Sequence, residues 1–293
     1  MNNSTSSIAI LDIGSNSVRL LITNGVFFNK KLITTRLAEN KTEAGELDLT
    51  SAYRTVNAIA DLKKEAEDLG VSQIYAFATE AVRSAKNKTQ FLELVKKVAN
   101  VNVDVLSGDL EAETGLLGAN FGQDGSIIDI GGASTEIAVQ KGGQVIYKKS
   151  VALGAVALKQ MSFKSNSELK SYVDSVVLAF KDAPVFNVKA IGGTSTALAS
   201  VDLKLKVYDS NYTDGHYIPR KNLEEITSEA FNVEPSVLCE RYAITKSRAE
   251  VLSAGAYVLL SILKTLGLDG VQVSEKDNLE GYFYKVVKGY EEQ

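Results

Sequence analysis

Residues 127–139 read IIDIGGASTEIAV, and residues 10–22 read ILDIGSNSVRLLI. Each is an apolar run ending in Asp-Ile-Gly, a small polar turn and a second apolar run, the pattern of strand, tight turn, strand. Asp129 falls on Asp12, Gly131 on Gly14 and Ser134 on Ser17, at a constant offset of 117 residues. A repeat of that period is the size of a domain, so it points to a duplicated fold and not to a solenoid of short units.

Outward from the first hairpin, residues 26–38 extend it as a meander. Residues 50–69 then carry apolar side chains at helical spacing, from Tyr53 through Val56, Ile59 and Leu62 to Leu69, with Gly70 as the stop. A strand at 73–78, a helix at 88–99, a strand at 101–106 and a helix from Gly108 to about Phe121 complete the first half. Outward from the second hairpin come a strand at 143–149, helices at 154–161 and 167–181, and a strand at 188–191 that runs into Gly192-Gly193-Thr194. Helices at 221–231, 235–242 and 248–266, a strand at 270–274 and a last helix follow. Strands separated by helices give an α/β layered architecture. The domain boundary is expected in Asn-Phe-Gly-Gln-Asp-Gly at 120–125, dividing the chain into 1–122 and 123–293.

With 293 residues the chain has room for two domains, and 45% apolar with 23% charged residues is ordinary globular composition. No apolar run is long enough to span a membrane, and the polar start, residues 1–7, lacks the basic and apolar parts of a secretory signal. Cys239 is the only cysteine, so no intramolecular disulfide forms, which suits a cytoplasmic setting. His216 is the only histidine and reads as a loop residue, so sites built on several histidines or on Cys/His zinc clusters are excluded. The net charge of −4 and the lack of a basic stripe argue against binding a nucleic-acid duplex. An anion would have to be held by a local cluster of backbone N–H groups and arginine.

The two hairpins supply such groups. Glycine in each turn lets a ligand approach the backbone, and successive turn N–H groups form anion-binding nests. The hydroxyls of Ser15, Ser17, Ser134 and Thr135 add donors. Asp12, Asp129 and Glu136 cannot bind phosphate directly but can hold Mg²⁺ or another hard cation that does. Bland alternatives stand beside these readings: Asp12 as an Asx cap of its own turn, Arg83 as an ion-pair residue, Gly192-Gly193 as a close-packing device, and Tyr282, Phe283 and Tyr284 as helix packing.

Five motifs then occur in order: DIGSNSVR at 12–19, ATEAVRSAKN at 78–87, SGDLEA at 107–112, DIGGASTE at 129–136 and AIGGTSTA at 190–197. Together they resemble the exopolyphosphatase / guanosine pentaphosphate phosphohydrolase (Ppx/GppA) family, within the sugar kinase, actin and heat-shock chaperone superfamily. The resemblance runs from about residue 8 to 284. It implies two ribonuclease-H-like (actin-like ATPase) domains with an interdomain cleft, without the additional helical C-terminal region of larger members, and a homodimer.

Carried onto matching positions, the resemblance implies Glu111 as the general base that activates water, and Asp129 and Glu136 as metal-linked acids. It implies Ser15, Asn16, Ser17 and Arg19 as the first phosphate loop, Arg83 as a phosphate-chain ligand, and Gly131, Gly132, Ser134 and Thr135 as the second loop. Gly192, Gly193 and Thr194 form the third. The implied activity is Mg²⁺-dependent release of terminal phosphate from inorganic polyphosphate, with guanosine pentaphosphate as the alternative substrate. Four positions depart from the pattern: Leu110 replaces an acid, Ala133 a glycine and Ala157 an arginine, and DNLEG at 277–281 lacks the arginine of a GLREG-like segment. These losses bring in one rival, a non-catalytic sensor of polyphosphate or alarmone, and the Gly192 loop suggests another, a nucleotide-dependent kinase or ATPase.

Overall fold

The computed structural model describes residues 7–39, 44–287 and 289, so the polar start, apart from Ser7, lies outside them. The chain divides into two compact units, Met1–Ser107 and Gly108–Gln293. The sequence placed the boundary at 122–123, after the helix that begins at Gly108. That helix instead belongs with the second unit, because its apolar side packs on the strands that follow it.

In the first unit, β1 (Ile8–Ile13), β2 (Ser17–Thr23) and β3 (Phe28–Thr34) form an antiparallel meander. After α1 (Leu49–Asp68) comes β4 (Gln73–Ala78), parallel to β1; α2 (Glu80–Arg83), α3 (Lys88–Ala99) and the short β5 (Asp104–Val105) follow. The sheet order is β3-β2-β1-β4-β5. Helix α1 starts where the Asp48 side chain accepts the Ser51 N–H at 2.9 Å. It buries Val56, Ile59, Leu62 and Ala66 of the face read from the spacing, while Tyr53 and Leu69 at the ends of that reading are exposed, and each large aliphatic side chain so buried contributes roughly 1.5–3 kcal/mol. The expected strand at 101–106 is reduced to two residues.

The second unit opens with α4 (Gly108–Asn120), then the meander β6 (Gly125–Ile130), β7 (Thr135–Lys141) and β8 (Gln144–Val151). Next come α5 (Ala155–Gln160), α6 (Asn166–Val177), β9 (Val188–Ile191) parallel to β6, α7 (Gly192–Asp202), α8 (Ser210–Thr213) and β10 (Tyr217–Pro219). The chain continues through α9 (Arg220–Asn232), α10 (Pro235–Arg241), α11 (Lys246–Thr265), β11 (Gly270–Val273) and α12 (Asn278–Tyr282). The order β10-β11-β9-β6-β7-β8 repeats that of the first unit with one edge strand added. That edge strand, β10, was not anticipated. It ends in Pro219, which has no N–H to give a ladder and is tolerated at an edge.

Alternation along β6 sets two faces. Ile128 and Ile130, with Ile137 of β7, join Leu252, Val258, Leu259 and Ile262 of α11 in the main core. Ile127 and Ala138 face the other way, onto Ala112, Leu116 and Ala119 of α4. Among the described residues no helix is long and apolar enough to cross a membrane.

Helix α12 also lies against α4, and there Gly281 leaves no room for a side chain: a Cβ would stand 1.7 Å from the Thr114 carbonyl oxygen. Gly281→Ala should therefore lower the unfolding free energy by about 2–4 kcal/mol through forced separation of the two helices. Urea titration measures this, and a loss below about 0.5 kcal/mol, the scatter of neutral surface changes, would show the contact to be slack.

Candidate active site

The face of β6 and β7 that meets α4 carries more than Ile127 and Ala138. Two residues along each strand on the same face stand Asp129 and Glu136, which are direct cross-strand partners. The hairpin joining them is closed by Gly131 N–H donating to the Ser134 carbonyl at 2.9 Å. The first turn of α4 adds Glu111. All three acids are buried, at 7%, 1% and 7% exposure for Asp129, Glu136 and Glu111.

Their environments differ. Glu136 Oε1 accepts the Ser150 hydroxyl at 2.7 Å, while Oε2 is buried with no hydrogen-bond partner among the described residues. Burial, then Glu111, then Asp129 push the Glu136 carboxyl well above the ordinary glutamate range, against a smaller opposing pull from the Ser150 and Ser134 hydroxyls. Asp129 Oδ2 accepts the side-chain amide of Asn278 at 2.9 Å. Its Oδ1 faces Gly192, whose φ of +79° and whose absent Cβ, which would lie 2.6 Å from that oxygen, both require glycine there.

An implied divalent cation can be tested against these donors. They are carboxylate oxygens, the hard ligands Mg²⁺ prefers, and the bare Glu136 Oε2 is a buried oxygen that folding leaves unsatisfied. Among the described residues no three His, Cys, Asp or Glu side chains are grouped closely enough to cage a metal alone. Mg²⁺ is commonly held by one or two carboxylates with waters and substrate phosphates, so the residues present fit a cation shared with a ligand.

The expected second and third loops lie in this unit. Two of their hydroxyls turn into the fold: Thr135 donates to the Leu153 carbonyl, and Thr194 donates to the Ile130 carbonyl at 2.9 Å. These tie the loop ends to β6 and to the β8–α5 connection, leaving the backbone and Ser134 as the loops' remaining polar groups. Ala133 does not have a positive φ, so its methyl brings no backbone strain and the departure from glycine is tolerated. The N–H groups of Val156 and Ala157 both donate to the Gly132 carbonyl at 2.9 Å, which sets position 157, where an arginine was missed, directly beside this turn.

In the first unit the equivalent hairpin is closed in the same way, by Gly14 N–H to Ser17 O at 3.0 Å. There the cross-strand pair is Asp12 with Arg19, joined as an ion pair through Arg19 Nε (2.8 Å) and Nη2 (2.5 Å) on Asp12 Oδ2. Ser15, Asn16 and Ser17 are buried, and the Asn16 carbonyl accepts the N–H groups of Thr35 and Arg36. Arg83 bonds Glu80 through Nε at 2.9 Å and the Leu106 carbonyl through Nη1 at 2.7 Å.

Three residues that touch this machinery were not singled out in the sequence. Ser150 is the cross-strand neighbour of Glu136 on β8, a pairing visible only once register is known. Arg248, at the start of α11, lays its guanidinium over Gly193, where a Cβ would meet Nη2 at 2.0 Å. Asn278 lies in the DNLEG segment at 277–281, whose sequence signals only an absent arginine. His216, by contrast, pairs with Asp202 at 2.7 Å, away from the acids in sequence and role.

A model of the Ppx/GppA phosphatase family matches residues 24–289. The chain belongs to that family. A bifunctional 3-dehydroquinate synthase/phosphatase of Fusobacterium nucleatum is 28% identical over 93% of this chain, and the match covers 45% of that protein. A guanosine-5'-triphosphate,3'-diphosphate pyrophosphatase of Aliivibrio fischeri is 23% identical over 95% of this chain and 59% of its own length. The chain thus spans about half the length of these curated relatives. The crystal structure of the Aquifex aeolicus Ppx/GppA family member is similar at a TM-score of 0.79 with 27% identity, over 98% of this chain and 99% of that one. The Ppx/GppA fold accounts for the repeated strand order and for the α/β class read from sequence.

On α4, Glu113 contrasts with its buried neighbour Glu111. Burial disfavours its charge, but hydrogen bonds from Lys148 and Lys285 outweigh this and hold its carboxyl below the ordinary glutamate value of 4.5. A depressed carboxylate stabilises above its unfolded-state value and loses that contribution as pH falls through the folded one. Glu113→Gln should therefore be less stable than wild type at pH 7, with the gap closing as pH is lowered through 4.5 and below. Urea midpoints across that range measure it, and a pH-independent gap would show that the lysine contacts are not electrostatic.

Proposed function

We propose that the chain is a divalent-cation-dependent phosphohydrolase that removes the terminal phosphate of a phosphoanhydride chain, with inorganic polyphosphate as substrate. The observation that carries this reading is the burial of Glu111, Asp129 and Glu136 together, with like charges opposed across one strand pair. Such an arrangement opposes folding and is stabilised by a bound cation. Family membership in the Ppx/GppA phosphatases supports the reaction class.

Phosphoanhydride hydrolysis needs in-line placement of water, a base and charge neutralisation, with little covalent help from protein. The Glu111 carboxylate takes a proton from the attacking water. The water oxygen bonds to the terminal phosphorus, the bridging P–O bond breaks, and its electrons stay on the shortened chain. Asp129 and Glu136 are the residues that would hold a divalent cation, which when bound supplies positive charge to the phosphate oxygens. Arg248 and the Gly131–Ser134 and Gly192–Thr194 backbones contribute donors from the second unit. Asp12, held by Arg19, serves here as that arginine's anchor, and Ser15, Asn16, Ser17 and Arg83 remain the first unit's proposed phosphate contacts.

Guanosine pentaphosphate is the second reading, favoured by the printed activity of the Aliivibrio relative and by Ala157 and Leu279, which leave fewer cations for a long polyanion. Glu111→Gln should lower kcat by about 10²- to 10⁴-fold, the usual worth of a positioned base, while KM stays nearly unchanged. Steady-state phosphate release with circular dichroism to confirm folding provides the check; a folded variant with wild-type kcat removes Glu111 from the mechanism.

A further inference from the structure

Asn278 is the first residue of α12, and its position is closely fixed. The helix begins with a capping box in which Asp277 and Glu280 exchange side-chain and backbone hydrogen bonds, and the Asp277 N–H donates to Glu280 Oε2 at 3.0 Å. Gly281 one turn later brings the helix against α4. Asn278 is 4% exposed, and its Nδ2 donates to Asp129 Oδ2 at 2.9 Å across 149 residues of chain. Its Oδ1 is buried with no hydrogen-bond partner among the described residues.

A buried amide used on one side and bare on the other is a poor structural device, since the unsatisfied oxygen opposes folding. An aliphatic side chain of similar size would fill the space without that penalty. The amide is explained by what surrounds it. Its NH₂ end fixes which way the Asp129 carboxylate turns, with Gly192 on the other oxygen. Its carbonyl end points at α4, where a Cβ on Gly115 would stand 3.2 Å from Oδ1.

We propose that Asn278 is a positioning residue for Asp129, turning that carboxylate toward the cation, so that α12 sets the cation affinity of the centre. This rests on the cation-dependent reading above. Residues that orient a metal's ligands typically change affinity 10- to 100-fold when removed.

The test is calorimetric Mg²⁺ binding, with thermal unfolding in EDTA and in Mg²⁺, for wild type, Asn278→Ala and Asn278→Asp. Asn278→Ala should bind Mg²⁺ about tenfold or more weakly. Its kcat should fall at limiting Mg²⁺ and recover at excess Mg²⁺, a rescue that a folding defect would not show. Asn278→Asp, which keeps the size and covers the case of an alanine variant that does not fold, should move oppositely: a lower Tm in EDTA and a larger Mg²⁺-induced rise than wild type. Variants that bind Mg²⁺ within about twofold of a wild type that does bind it, well short of the expected change, overturn the role of Asn278 alone. A wild type with neither binding nor a Tm shift overturns the cation reading and this inference with it.

Discussion

Two carboxylates, Asp129 and Glu136, face each other across the β6–β7 pair under the first turn of α4, with a third, Glu111, near enough to raise the Glu136 carboxyl further. Opposed like charges on neighbouring strands destabilise a sheet, and burial magnifies the effect because water no longer screens them. The rest of the second unit is arranged around that constraint. Ser150 supports one oxygen of Glu136, Asn278 one oxygen of Asp129, and Gly192 keeps a side chain away from the other. Thr194 ties the glycine loop to the end of β6, so the acids and the loop are held as one piece.

The duplicated hairpins show how one scaffold takes two chemical roles. Both close with the same glycine N–H to serine carbonyl bond, and both place an aspartate at the same point of the first strand. The residue opposite is arginine in the first unit and glutamate in the second. In the first unit the pair neutralises itself through the Arg19 fork on Asp12. In the second the pair adds charge, which only a cation or protonation relieves. The sequence treated Asp12 and Asp129 as equivalent because their motifs are, and the opposite partner separates them.

Much of the fold was legible because it is written in periodicity. Helix α3, strand β9 and the middle of the α1 face, Val56 to Ala66, lie where apolar spacing placed them, while Tyr53 and Leu69 are exposed. Elements governed by tertiary context were not: β5 is two residues long and β10 is an edge strand ending in proline. The unit boundary was misplaced because glycine-rich composition after α4 resembles a linker, while the packing of Ala112, Leu116 and Ala119 on β6 and β7 cannot be read from one helix alone. At the site, the acids stood in recognisable motifs. Asn278, Ser150 and Arg248 did not, since each acts by contacts across 14 or more residues of chain that a linear pattern does not record.

The central claim is that these acids serve hydrolysis of a phosphoanhydride chain. The most direct measurement is phosphate release by the unmodified protein from long-chain polyphosphate, tripolyphosphate and guanosine pentaphosphate, side by side, with Mg²⁺ and with EDTA. The account predicts Mg²⁺-dependent release from at least one of them, greatest from long-chain polyphosphate. No release from any by folded protein, or release undiminished by EDTA, would contradict it.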